Sequence, residues 1–366
     1  MHWRRYVPSV MDHLIWLILA GVFLFFVIGS DKFLTPINIV NILSAAAVLG
    51  VVVVGQTFVL ITGNFDLSQE STLGLAALVG LWIMVSAGAP WFGGGVLPGL
   101  LGESILNPFI SIGLVLLMGV LIGTIIGALI TYGRMNNFIV TLAMLLILRG
   151  LMLAFTEGNA VNAMDFEGGD IFYWLGHETI PVPWLGSVPV AVPAMLIVFA
   201  IGHVVLTYRK FGRDIYAVGG NKQAAIASGI DANKRIRQVY MISGFLAALA
   251  GIMMAGRVGS VQVNLGDGYI FTVFAAAVIG GVSLNGGRGT MLGALGGVLL
   301  LSTIDRGLNL MRVSVFWIQV IQGLIILFAM FIDAQRVRYR APVEAAAAPA
   351  KPPTDTKASP GGAVTS

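Results

Sequence analysis

Two carboxylates and two serines share one short polar interruption, Thr62-Gly63-Asn64-Phe65-Asp66-Leu67-Ser68-Gln69-Glu70-Ser71, set between two apolar blocks. Asp66 and Glu70 are the acidic side chains placed to act inside those blocks, where ionisable groups serve proton relays or polar solute paths. A second interruption, Gly280-Gly281-Val282-Ser283-Leu284-Asn285-Gly286-Gly287-Arg288-Gly289, also sets short polar residues beside a Leu and precedes a small-residue-rich apolar run. In transporters, paired Gly-interrupted segments often mark broken helices near the substrate path. Backbone groups freed there need a cavity or a protein partner. Asn64, Asp66, Ser68, Ser283 and Asn285 are therefore candidate pathway residues. The competing reading is an ordinary turn in which Asp66 caps the following helix and suits its dipole. Gln56, beside Thr57 inside an apolar run, joins the candidates because polar side chains at such depth face a bundle interior or a pathway.

Enzymatic chemistry finds no footing in the residue types. No Gly-Lys pair occurs, so there is no phosphate-binding loop. His177-Glu178 lacks a second His at metal-binding spacing, and no Gly-x-Ser-x-Gly elbow exists. Cysteine is absent, which removes disulfides and thiolate metal sites. The expectation is a chain with no catalytic residue, no metal and no cofactor, so that any ATP hydrolysis belongs to a separate ATPase subunit.

The elements that must position these residues are membrane helices. The chain of 366 residues is 57% hydrophobic and only 10% charged, with a mean hydropathy of +0.91; a soluble domain carries about a quarter charged residues. Several apolar runs reach the roughly 20 residues that cross a bilayer. The expected fold is all-α, a polytopic integral membrane protein of about ten transmembrane helices, with spans near 14–30, 38–62, 72–88, 109–131, 138–155, 187–207, 237–256, 271–284, 290–306 and 315–333. Small residues at four-residue spacing (Gly119, Gly123 and Gly127; Ser243, Ala247, Gly251 and Ala255; Gly293 and Gly297) form seams for close helix crossing within the chain or, as the other reading, across a dimer.

Charge orients the spans. Arg4 and Arg5, Arg134, the cluster from Arg209 to Arg237, and Arg336, Arg338 and Arg340 all fall on one side, which the positive-inside rule makes the cytoplasm. The long connection 156–184 carries five carboxylates and no Lys or Arg, and 89–108 carries Glu103 alone. Residues 1–13 are expected as a cytoplasmic N-terminus, 14–340 as the transmembrane domain, and 341–366, rich in Ala and Pro, as a disordered cytoplasmic tail. The formal charge of +4 reflects basic residues at span ends, not a nucleic-acid partner.

One hydrophilic segment stands apart. Gly219-Gly220-Asn221-Lys222-Gln223-Ala224-Ala225-Ile226-Ala227-Ser228-Gly229-Ile230 is small, polar and helix-compatible, with Arg209, Lys210, Arg213, Lys234, Arg235 and Arg237 around it. It reads as a compact docking element for a soluble partner on the positively charged side.

With these residues in view, the chain resembles the permease subunits of bacterial ABC importers for monosaccharides, the ribose, xylose and galactose group, over roughly residues 35–335. The resemblance is carried by Gly212-Arg213-Asp214-Ile215-Tyr216-Ala217-Val218-Gly219-Gly220-Asn221 with Ala224-Ala225 and Ser228-Gly229-Ile230, by 275–284 with Gly286-Gly287-Arg288-Gly289, and by Gly307-Leu308-Asn309-Leu310. At 64–71 this chain departs from the family pattern, with Gln69 and Glu70 where an apolar residue and a Gly are usual. The resemblance implies a type II ABC importer permease fold and a pathway for a monosaccharide or related polyol. It implies a coupling segment over about 212–230, with Gly219, Gly220, Asn221, Ala224, Ala225, Ser228 and Gly229 in a groove of a cytoplasmic ATPase. It further implies a periplasmic sugar-binding protein, a second permease copy or a related permease, and a multi-pass location in the bacterial inner membrane with both termini cytoplasmic. An ion-gradient-driven secondary carrier of a small polar solute is the alternative.

Overall fold

Apolar stretches bounded by proline, glycine and capping side chains build the computed structural model, which describes residues 3–84, 108–162, 174–314, 316–328 and 331. Its helices are α1 (Trp3–Gly29), α2 (Pro36–Ile61), α3 (Gln69–Met84), α4 (Pro108–Thr131), α5 (Asn137–Thr156), α6 (Ala191–Tyr208), α7 (Lys210–Gly220), α8 (Lys222–Ala227), α9 (Ala232–Val258), α10 (Tyr269–Ile279) and α11 (Met291–Leu310), followed by α12 (Phe316–Phe328). Local chemistry sets their ends. Pro36 opens α2, where a missing N–H costs nothing. Asn136, Asp231 and Thr290 cap α5, α9 and α11 by accepting backbone N–H bonds.

Two helices form the centre. Most of α2 is buried, continuously from Ala46 to Ile61, and it packs against α6, α9, α10 and α11. Helix α9 packs on α2, α3 and α4. In the most apolar window of each, 72% of α9 and 67% of α2 is buried, against 22% of α5. The outer helices turn Leu146, Ile147, Ile197 and Ile201 outward, a surface suited to lipid and not to water.

Among the described residues, six helices are long and apolar enough to cross a membrane: α2, α4, α5, α6, α9 and α11. Leu14–Gly29, Tyr269–Ile279 and Phe316–Phe328 are shorter apolar stretches among the same residues. The expected span 271–284 is the eleven-residue α10, which stops at Gly280 because the chain turns there with Gly281 at φ 89°. The expected span 187–207 begins at Ala191, since residues 186–189 form a strand. Helix α1 already runs from Trp3. The tail 341–366 and most of the connection 89–108 lie outside the described residues.

Alongside the expected helices, the described residues include four short strands. β1 (Val161–Asn162) pairs with β4 (Ser260–Val261), and β2 (Thr179–Val182) forms an antiparallel hairpin with β3 (Gly186–Pro189), Ile180 opposite Val188. Strands this short carry no readable alternation of hydrophobicity.

The glycine seam of α4 closes inside the chain. Gly119 lies against the Gly244 carbonyl, Gly123 against the Tyr240 carbonyl, and Gly127 against Arg237 Cα. Without Cβ atoms the two backbones reach contact, where dispersion holds helices together in lipid. Gly293 and Gly297 of α11 likewise meet the carbonyls of Gly280 and Ala276 at the end of α10. Gly123→Val is expected to cost about 3 kcal/mol through forced separation of α4 and α9. The unfolding midpoint in detergent checks this, with Gly113→Val, which has open space around it, expected to change little.

Candidate functional site

The segment after α6 folds as two short helices with an exposed outer face. Asn221 breaks the chain between them at φ −158° and caps α8, its side chain accepting from Ala224 N at 3.0 Å. Ser228 Oγ donates back to the Ala224 carbonyl at 2.9 Å. Gly229 then turns at φ 82°, a conformation that costs glycine nothing, and leads into the Asp231 cap of α9. Gly220, Asn221, Ala224, Ser228 and Gly229 are exposed, as are Lys222 and Gln223, and Ile226 is 54% exposed. Ala225 is different: it is buried and holds α8 to the body. Arg235 anchors the base by pairing with Asp214 at 2.6 Å and lying over the Phe211 ring.

Gly219 faces inward. A Cβ there would collide with the Ile61 carbonyl and approach Gly287 N. Ile61, the last residue of α2, accepts from Gly287 N at 2.7 Å, and Tyr216 donates to the Gly289 carbonyl at 2.6 Å. Burial pushes the Tyr216 hydroxyl above its usual range, which keeps it a donor. Gly63 lies close to Asn285 O. The two polar interruptions singled out in the sequence, far apart along the chain, thus meet directly behind α7.

Their polar side chains mostly close loops. Asp66 accepts from Ser68 N and Ser68 Oγ through one oxygen and from Ser243 Oγ through the other. Gln69 Nε2 donates to the same Ser243 Oγ at 2.6 Å, and Tyr240 donates to the Phe65 carbonyl at 2.7 Å. Asn64 binds Thr62 and accepts from Asn137. Ser283 is buried and accepts from Asn285 N, while Asn285 is exposed. Gln56 is fully buried in α2, with no hydrogen-bond partner for either amide atom among the described residues. Asp66 and Ser68 therefore fasten the start of α3 to α9.

A polar cavity of about 660 Å³ lies elsewhere, toward the opposite end of α9 from α7 and α8. Arg257 enters it from the last turn of α9, Asp267 and Tyr269 from the start of α10, Asp305 from α11, and Gln319 and Gln322 from α12, with Thr272 and Ser302 adding hydroxyls. Carboxylate, guanidinium, amide and hydroxyl groups with an aromatic ring can bind a polyhydroxylated solute by hydrogen bonds and ring contact. None of Gln56, Asn64, Asp66, Ser68, Ser283 or Asn285 lines this cavity. The sequence held a signal for it. Gln319 and Gln322, three apart, share one face of an otherwise apolar helix, and Asp305 interrupts another. No cluster of three or more potential metal ligands occurs among the described residues.

Comparison with known proteins agrees with the helical architecture. Residues 38–330 match the family described as branched-chain amino acid transport system / permease component. The chain is 36% identical to the ribose import permease protein of Bacillus subtilis over 319 residues, covering 86% of this chain and 91% of that protein. It is 37% identical to the ribose import permease protein of Escherichia coli K12 over 307 residues, covering 84% and 88%. It is 31% identical to the galactose/methyl galactoside import permease protein of the same strain over 334 residues, covering 90% and 96%. No solved structure gives a significant match.

Ser243→Ala should expose the weight carried by the loop-closing network. It leaves Gln69 Nε2 without its partner and removes one donor from a buried carboxylate, an expected loss of about 2 kcal/mol read as a lower unfolding midpoint.

Proposed function

The chain belongs to that permease family, and from this premise we propose that it forms the membrane pathway of an ATP-driven importer for a monosaccharide or related polyol. It is a permease component and not an enzyme. A separate cytoplasmic ATPase subunit hydrolyses ATP, and a periplasmic sugar-binding protein delivers the solute. The chain sits in the bacterial inner membrane with both termini in the cytoplasm and crosses it about ten times, in a type II importer arrangement. Residues 14–340 form the transmembrane domain, preceded by a cytoplasmic N-terminus and followed by a disordered tail.

The observation that carries this reading is the seating of α7 on the rest of the chain. An exposed pair of short helices, ringed by basic residues, rests through Gly219 on the end of α2 and on the 281–289 turn. A push on α8 therefore reaches both polar interruptions at once. Gly219, Gly220, Asn221, Ala224, Ala225, Ser228 and Gly229 form the coupling segment, with Gly219 and Ala225 seating it and the others meeting the ATPase. ATP-driven closure of the ATPase moves this handle, and rocking of the helices exposes the pathway to one side and then the other.

The polar cavity supplies a wall of the pathway. Arg257, Asp305 and Gln322 facing lipid would be costly, so a second copy or a related permease covers that side. Gln56 and the loop residues Asn64, Asp66, Ser68, Ser283 and Asn285 act at its base by shaping the moving connections. Nothing in the structure favours an ion-gradient-driven carrier.

Gly220→Trp tests the docking face, because Gly220 has open space around it. ATPase activity stimulated by the binding protein is expected to fall at least about tenfold at an unchanged unfolding midpoint. Ala224→Glu is expected to act likewise, whereas Ala225→Glu should also destabilise α8, since that position is buried. Asp305→Asn in the cavity is expected to cut sugar uptake roughly tenfold while ATPase assembly, followed by co-purification, is retained. Uptake by the purified chain alone, without ATP, would overturn the proposal.

A further inference from the structure

Helix α5 faces outward along most of its length, with Leu146 64%, Ile147 53% and Leu153 44% exposed, yet it carries Arg149 with only 13% of its side chain exposed. A guanidinium in an apolar span is costly unless its donors and charge are met. Arg149 finds most of its partners on one short stretch of chain. Its Nη1 donates to the carbonyls of Val263 and Leu265 at 3.2 and 3.1 Å, and its Nη2 pairs with Asp267. The same Nη2 lies 3.8 Å from Glu70 Oε1 in α3. The other oxygen, Glu70 Oε2, accepts from Ile270 N at 3.2 Å, in the first turn of α10. One buried carboxylate thus neutralises Arg149 in part and also occupies the positive end of α10.

The neighbours on either side give this joint a direction. Gln69, adjacent to Glu70, is bonded to Ser243 of α9, and the connection before it begins at Ile61, on which Gly219 rests. Beyond Glu70, Asp267, Gly268 and Tyr269 are cavity wall. The chain between the seat of α7 and the cavity is therefore bonded at Asp66, at Gln69 and at Glu70.

We propose that Glu70 is a positioning residue for transport: together with Arg149 it ties the start of α10, and with it the Asp267–Tyr269 wall of the cavity, to the start of α3. Movement of the 62–68 connection beside α7 is delivered to the cavity through this joint. The inference rests on the reading of the chain as an ATP-driven permease, and it assigns to Glu70 a role in coupling that neither cavity lining nor ATPase docking requires.

The experiment uses the full chain reconstituted with its ATPase and binding-protein partners, supplied with labelled D-ribose, D-galactose or D-xylose. Glu70→Gln is expected to lower sugar moved per ATP hydrolysed about tenfold, with the stimulated ATPase rate within about twofold of the parent. Glu70→Asp is expected to recover most of that ratio. A parallel fall in transport, ATPase rate and unfolding midpoint would make Glu70 merely structural and overturn the proposal, as would an unchanged ratio. A second readout needs no sugar. The chain has no cysteine, so Thr272→Cys reports on the cavity wall alone. Its maleimide labelling in the purified chain is expected to accelerate about tenfold when Glu70→Gln loosens the start of α10, and an equal rate would also refute the joint. If the parent complex moves none of the three sugars with ATP, the permease reading fails instead, and the labelling result still decides whether Glu70 holds the wall.

Discussion

A backbone carbonyl at the end of a buried helix, with no water to satisfy it, constrains the rest of this molecule. Where α2 stops at Ile61, which is fully buried, the freed C=O groups must find donors within the protein. Ile61 O takes the N–H of Gly287, more than two hundred positions away along the chain. That bond forces the 280–290 turn against the 62–68 connection. The approach is so close that α7 fits over it only with glycine at 219. The exposed helices α7 and α8 consequently rest on the one place where both breaks in the helical framework meet.

The same scarcity of water governs the polar side chains. Asp66, Ser68, Gln69 and Ser243 are bonded to one another, and the adjacent Glu70 lies beside Arg149, which pairs with the exposed Asp267. Such networks bring little net stability when compared with well-packed apolar groups, but breaking one member leaves its partners buried and unpaired. They therefore define which helices move together. Glycine seams do the complementary work between α4 and α9 and between α10 and α11, where backbone contact replaces side-chain packing. A permease needs both properties: rigid groups of helices, and a few bonded joints between them.

Much of this was legible before any coordinates. The membrane class, most helix positions, the small-residue seams and the separate character of the 212–230 segment follow from composition, run length and four-residue spacing. The expected span over α10 runs too long because Val282 and Leu284 follow the apolar run across two glycines, and the helix stops at that Gly280-Gly281 pair. The β2–β3 hairpin is not legible in the sequence because two four-residue strands leave no periodic trace. The candidate pathway residues other than Gln56 belong to the polar interruptions, which contrast with the apolar runs around them. In the fold most of those side chains close loops, and the open polar surface is assembled from residues of α9, α10, α11 and α12 that lie far apart along the chain. Arg149 offers no such contrast, being a single charge inside an apolar run.

What the amino-acid sequence determined by itself is the solvent of each segment: which stretches belong in lipid, which ends collect positive charge, and which short stretch must face water. These are properties of local composition and period, summed over neighbours in the chain. Only the tertiary structure decided which polar groups answer one another. Glu70 with Arg149 and Ile270, Asp66 with Ser243, and Ile61 with Gly287 are pairings across long separations. A buried donor is satisfied by whatever acceptor the packing of helices brings within about 3 Å, and that distance is written nowhere in the order of residues.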